Sequence, residues 1–151
     1  MAGDKVSSRM RRSPELWLAP LIGVAGLCAY SLHDHRLWHS LGGKLVPTIL
    51  LSVPLLMLAS IVLLFLKVTR LPLWAGLLVS ATFSCFLVGA FYFFAAPYAY
   101  GPLLQTAPRI VDEGGADTIA IWQYQAPAAG VIAAIATILS GLISSRLSKV
   151  T

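Results

Sequence analysis

The stretch LVPTILLSVPLLMLASIVLLFL, residues 45–66, decides the fold of this chain. It contains no charged side chain, and it is longer than the roughly 20 apolar residues that an α-helix needs to cross a hydrocarbon core about 30 Å thick. Large aliphatic side chains make up most of it, and such a helix suits lipid or the groove of a partner helix. The stretch therefore predicts a membrane-spanning helix.

Three further apolar blocks, at residues 16–32, 71–96 and 126–145, also lack charged residues. The last two are long enough to span a bilayer, and the first lies at the lower limit of length. The last span could begin as early as Thr118, because TIAIWQYQ, residues 118–125, fits either a strand-like stretch or the first turns of a helix. We therefore predict an all-α, polytopic membrane protein with a four-helix transmembrane domain at residues 16–145, between a basic tail at 1–15 and a short tail at 146–151.

The shortness of the first block leaves a second interpretation open. Basic residues precede it, as in a secretory signal, and Ala29-Tyr30-Ser31 is a weak cleavage site. The apolar run is nevertheless longer than the usual apolar region of a signal, which favours a retained span. We expect four spans, with cleavage of the first as the alternative.

The composition of the whole chain agrees with lipid as the solvent of these blocks. Of its 151 residues, 58% are hydrophobic and 11% are charged, whereas soluble domains have about 25% charged residues. A chain this short cannot hide so much apolar surface in a core. The net charge of +5 lies in short clusters, without the basic face that nucleic-acid binding needs. Cys28 and Cys85 both lie inside apolar blocks, which excludes a disulfide framework and a cysteine-based zinc site.

The distribution of lysine and arginine predicts the orientation of the spans. Cytoplasmic segments of membrane proteins carry an excess of these residues. If the chain makes four passes, eight of its 11 lysines and arginines fall on one side and the remaining three on the other. We therefore predict cytoplasmic termini, an inner loop at 67–70, outer loops at 33–44 and 97–125, and a bacterial inner membrane as the location. The eight are Lys5, Arg9, Arg11, Arg12, Lys67, Arg70, Arg146 and Lys149, and the three are Arg36, Lys44 and Arg109.

Tryptophan residues fit the same frame. Trp17 and Trp74 lie at inner ends of the predicted spans, whereas Trp38 and Trp122 lie at the outer side. Half-exposed indole rings anchor a span at the boundary between lipid and water. We therefore expect all four rings to be interfacial.

Rows of small residues predict how the spans pack against one another. Lipid gives helices no hydrophobic reason to associate, so close packing of small side chains has to hold them together. Such residues recur at four-residue spacing in the third and fourth spans, along one side of each helix. We predict that these two spans form the closely packed pair, through Gly76, Ser80, Ser84, Ala81, Cys85 and Gly89 in the third and Gly130, Ala134, Thr137 and Gly141 in the fourth.

The segment HDHRLWH, residues 33–39, is the main candidate for a site with chemistry. Neutral imidazoles suit Zn, Cu or Ni. No single regular structure brings His33, His35 and His39 to one face, so a metal site here needs a bent loop. Asp34 would then be a fourth ligand or would orient one of the rings. The alternative is a short solvated loop at the level of the lipid headgroups.

Catalysis has little support from the sequence. No charged residue lies inside the predicted spans, although such residues mark proton relays and ion paths. A serine nucleophile needs a base at the same depth, and the histidines all lie at one outer edge. We therefore expect a non-catalytic accessory subunit or interaction protein of a larger membrane assembly, whose partners are lipid, other membrane subunits or a second copy, and not nucleic acid. A divalent-metal binding or transfer protein is the first alternative, and a holin-like membrane-permeabilising protein is the second.

Overall fold

The computed structural model describes residues 14–33, 45–68, 71–95 and 115–147. These residues form helices, and no strand occurs among them. The helices are α1 (Glu15–His33), α2 (Leu45–Val68), α3 (Leu73–Ala90) and α4 (Gly115–Leu147), and α3 continues into a π-helical turn, Phe91–Ala95. For the described residues, the prediction of an all-α fold with four helices long and apolar enough to span a membrane is confirmed.

The four helices form a ring in which each helix packs chiefly against two neighbours. α1 and α3 both contact α2 and α4, and the interface between α3 and α4 is the most extensive. At one end of the bundle, the proximal end, Leu63 of α2 and Leu77 of α3 meet Gly141 of α4. At the opposite, distal end, one buried cluster contains residues from all four helices. Its members include Leu27 near the end of α1, Leu45 in the first turn of α2, Tyr92 in the π-helical turn and Trp122 in the first half of α4. Neighbouring helices are therefore antiparallel, and α1 begins at the end where α4 finishes.

Prolines precede the first and third helices. The carbonyl oxygen of Pro14 accepts a hydrogen bond from the N–H of Leu18 at 2.9 Å, and that of Pro72 accepts one from the N–H of Gly76 at 3.1 Å. A proline at the start of a helix costs little, because the N–H that it lacks would have no partner within the helix there. These two prolines therefore begin helices without loss of a backbone hydrogen bond.

The fourth helix begins earlier than the sequence predicts. α4 starts at Gly115, whereas the predicted span starts at Ala126, with Thr118 as its earliest start. Residues 115–125 are therefore helical, and the strand-like alternative for TIAIWQYQ is wrong. Periodicity could not decide so short a stretch. Trp122 and Gln125 of this stretch are buried, and tertiary packing supplies most of the stability of helices in proteins.

The surface of the bundle differs from that of a soluble protein. Large apolar side chains cover the surface: Leu21 of α1 is 69% exposed and Phe86 of α3 is 74% exposed. Soluble monomers rarely expose extended apolar patches of this kind. The arrangement is consistent with an integral membrane protein. The buried polar side chains among the described residues are Ser31, Thr48, Ser52, Ser60, Ser80, Ser84, Gln125, Thr137, Ser140 and Ser144.

The first helix contributes to the core of the bundle. A Cβ built on Gly23 would meet the side chain of Leu56 in α2. A Cβ built on Gly26 would lie 2.8 Å from a methyl group of Ile132 in α4. Leu27 is buried in the cluster at the distal end. α1 therefore packs closely against both of its neighbours.

Candidate functional site

A close approach of two backbones marks the seam where α3 faces α4. A Cβ built on Gly130 would lie 2.8 Å from the carbonyl oxygen of Cys85 and 3.1 Å from its Sγ. One turn further along α3, a Cβ built on Gly89 would lie 3.4 Å from the carbonyl oxygen of Ala126. The nearest obstacle at both glycines is backbone, which cannot move aside as a side chain can. Small residues at an interface let two membrane helices come this close.

A hydrogen bond between two hydroxyl groups links α3 and α4 across the same seam. The Oγ1 of Thr137 lies 3.0 Å from the Oγ of Ser84, and both residues are fully buried. Each hydroxyl also reaches a carbonyl oxygen of its own helix, Thr137 that of Ala133 at 2.9 Å and Ser84 that of Ala81 at 3.1 Å. The two hydroxyl groups therefore have two protons for three possible hydrogen bonds. The single proton of Thr137 has two acceptors, so the bond between the helices competes with the bond of Thr137 to Ala133, whereas Ser84 can accept from Thr137 and donate to Ala81 at the same time.

The other residues predicted for helix packing lie at more than one interface. Gly141 faces the side chains of Leu77 and Leu63, where α2, α3 and α4 meet. Gly76 faces α2, because its built Cβ would lie 3.8 Å from the Cβ of Leu66. Gly76 therefore lies on the side of α3 that faces α2, whereas Gly89 lies on the side of α3 that faces α4. Of the rest, Ser80 and Ala81 are buried, and Ala134 is half-buried.

The interior of the bundle offers hydroxyl groups and little else that could react. No charged group is buried among the side chains that the structure describes, and the same residues hold no cluster of three His, Cys, Asp or Glu. Ser52 and Ser60 donate to the carbonyl oxygens of Thr48 and Leu56, at 3.1 and 2.9 Å. The Oγ of Ser80 has no hydrogen-bond partner in the described part of the chain. A serine becomes a nucleophile only beside a base, and these helices place none next to these hydroxyls.

The predicted metal site lies mostly outside the described residues. His33 is the last residue of α1, and its side chain is exposed. Asp34, His35 and His39 fall in residues 34–44, which the structure does not describe. The metal site therefore stays a prediction.

An aromatic cluster at the distal end of the bundle was not foreseen from the sequence. The sequence predicts a half-exposed Trp122 at the membrane boundary, but this side chain is 1% exposed. Its ring lies edge-on to that of Tyr92, with 5.7 Å between the ring centroids. Gln125 follows one turn later, is buried, and has no partner for its Nε2 among the described residues. The signal that could have revealed this face is the three- and four-residue spacing of Trp122, Gln125 and Ala129.

The surface of the described bundle is apolar on all four helices. Large hydrophobic side chains point away from the core on each of them, and in lipid such side chains contact hydrocarbon or another membrane helix. One example from each helix, in chain order, is Leu21, Leu58, Phe86 and Ile135.

Comparison with protein-family models, with curated proteins and with solved structures finds no match to this chain.

Proposed function

We propose that the chain is a small integral membrane protein that crosses the bilayer four times and serves as a non-catalytic accessory subunit of a larger membrane assembly. The contrast between the interior and the surface of the bundle carries this proposal. Among the described side chains, the interior buries hydroxyls and no charge, so it supplies neither a catalytic base nor an ion path. The surface presents large apolar side chains on every helix, which lipid and a partner helix can cover.

The proposed orientation places both termini in the cytoplasm. The start of α1, the end of α4 and the connection from α2 to α3 share the proximal end of the bundle. Segments joined to this end carry eight of the 11 lysines and arginines, including Arg146 in the last turn of α4. The excess of positive charge on cytoplasmic segments supports a cytoplasmic proximal end. A bacterial inner membrane is the location that we propose.

Reporter fusions test this orientation. A fluorescent protein that matures only in the cytoplasm should fluoresce when it is fused after Thr151, and alkaline phosphatase, which is active only outside the cytoplasm, should be inactive there. The phosphatase should be active when it is inserted within residues 34–44. The reverse pattern would overturn the orientation, and activity of the phosphatase at both sites would overturn the four-pass topology.

Site-specific photo-crosslinking in native membranes tests the accessory role. A photoreactive amino acid replaces Leu21, Leu58, Phe86 or Ile135, so that each helix is sampled at an exposed position. Leu63, which is fully buried in α2, is the matched control for Leu58 because its side chain reaches only other helices of the bundle. We expect crosslinks to one and the same membrane protein from one side of the bundle, crosslinks to lipid from the other sides, and no intermolecular crosslink from Leu63.

Two results together would contradict the accessory role. One is that all four exposed positions crosslink to lipid alone. The other is that the protein purified in mild detergent is a stable monomer without a copurifying membrane protein. A chain with both properties would have neither a partner nor a second copy to act with.

A holin-like protein would behave differently on overexpression. It would collapse the membrane potential and kill the host at a defined time after induction. We expect an accessory subunit to leave the membrane potential unchanged, as a potential-sensitive dye would show. Collapse of the potential at a fixed time would favour the holin-like alternative over the accessory role.

A further inference from the structure

We draw no further inference here: the strongest candidate, the buried Gln125 amide one helical turn after Trp122 at the distal end of the bundle, carries nothing because the structure does not show what would approach that amide.

Discussion

Replacing Gly130 by alanine tests the seam between α3 and α4 most directly. The added Cβ would lie 2.8 Å from the carbonyl oxygen of Cys85, about 0.6 Å inside the 3.4 Å at which ordinary contact begins. Overpacking costs about 1–3 kcal/mol, and a backbone obstacle places the cost near the upper value because a whole helix must move. Alanine returns about 1 kcal/mol through its higher helix propensity. We therefore expect Gly130→Ala to lower the free energy of unfolding by about 2 kcal/mol, which reduces the ratio of folded to unfolded protein about thirtyfold.

Two other glycines provide matched controls for the same chemical change. A Cβ on Gly76 would meet only Leu66, at 3.8 Å, so Gly76→Ala should be neutral or stabilise the fold by up to about 1 kcal/mol. Gly89→Ala, with its nearest obstacle at 3.4 Å, should fall between the two. Reversible unfolding in mixed micelles of a mild detergent and sodium dodecyl sulfate would measure the free energy of unfolding for all three variants.

A double variant separates the backbone obstacle from the side-chain obstacle. Cys85→Ala removes the Sγ that lies 3.1 Å from the built Cβ of Gly130 but leaves the carbonyl oxygen in place. We therefore expect the variant with both Gly130→Ala and Cys85→Ala to keep most of the loss, after correction for Cys85→Ala alone. The reasoning would be refuted if Gly130→Ala were as stable as the wild type, or if Gly76→Ala were the more harmful change.

The remaining predictions concern the buried hydroxyls, the first helix and the histidine segment. In a double-mutant cycle of Ser84→Ala and Thr137→Val, we expect a coupling free energy below about 1 kcal/mol, since Thr137 can return to the carbonyl of Ala133 and Ser84 keeps its bond to Ala81. A coupling above about 2 kcal/mol would contradict this competition at Thr137. The intact mass of the mature protein should include α1, because cleavage after Ser31 would remove the contacts of Gly23 and Gly26 with Leu56 and Ile132; a chain that begins at Leu32 would show cleavage. If the histidine segment binds metal, the wild-type protein should retain on the order of one Zn, Cu or Ni per chain or per dimer after dialysis against a weak chelator. The variant in which His33, His35 and His39 are all changed to alanine should lose this metal. Equal metal content in the wild type and the variant would exclude the site.

The four helices could be predicted because each contains an uninterrupted apolar block. The start of α4 could not, because the eight residues before Ala126, TIAIWQYQ, are too few for periodicity to decide between a strand and a helix. Trp122 and Gln125 are buried in the bundle, and a sequence alone does not show which residues of other helices lie next to this segment. The burial of Tyr92 in the π-helical turn could not be predicted either, because it too depends on residues that are distant in the sequence.

The small residues of the third span could be recognised as a row, but not the neighbour that each of them meets. Gly76 and Ser84 are eight residues apart, and an α-helix turns about 100° per residue. Two steps of four residues therefore rotate the side-chain direction by about 80°. This rotation accounts for the contact of Gly76 with Leu66 in α2, while Ser84 contacts Thr137 in α4.

The hydroxyl groups that bond to their own helix bear on how the protein is made. Ser52, Ser60 and Ser140 each donate to a carbonyl oxygen of the same helix, so their hydrogen bonds do not wait for a neighbouring helix. An unsatisfied polar group in hydrocarbon costs several kcal/mol, and a newly inserted helix has no neighbour to satisfy it. Thr137 can keep its bond to Ala133 until α4 packs against α3, which is made before it, and then exchange this bond for one to Ser84. These hydroxyl groups therefore do not delay insertion of their helices during translation, because their hydrogen bonds need no neighbour that has yet to emerge from the ribosome.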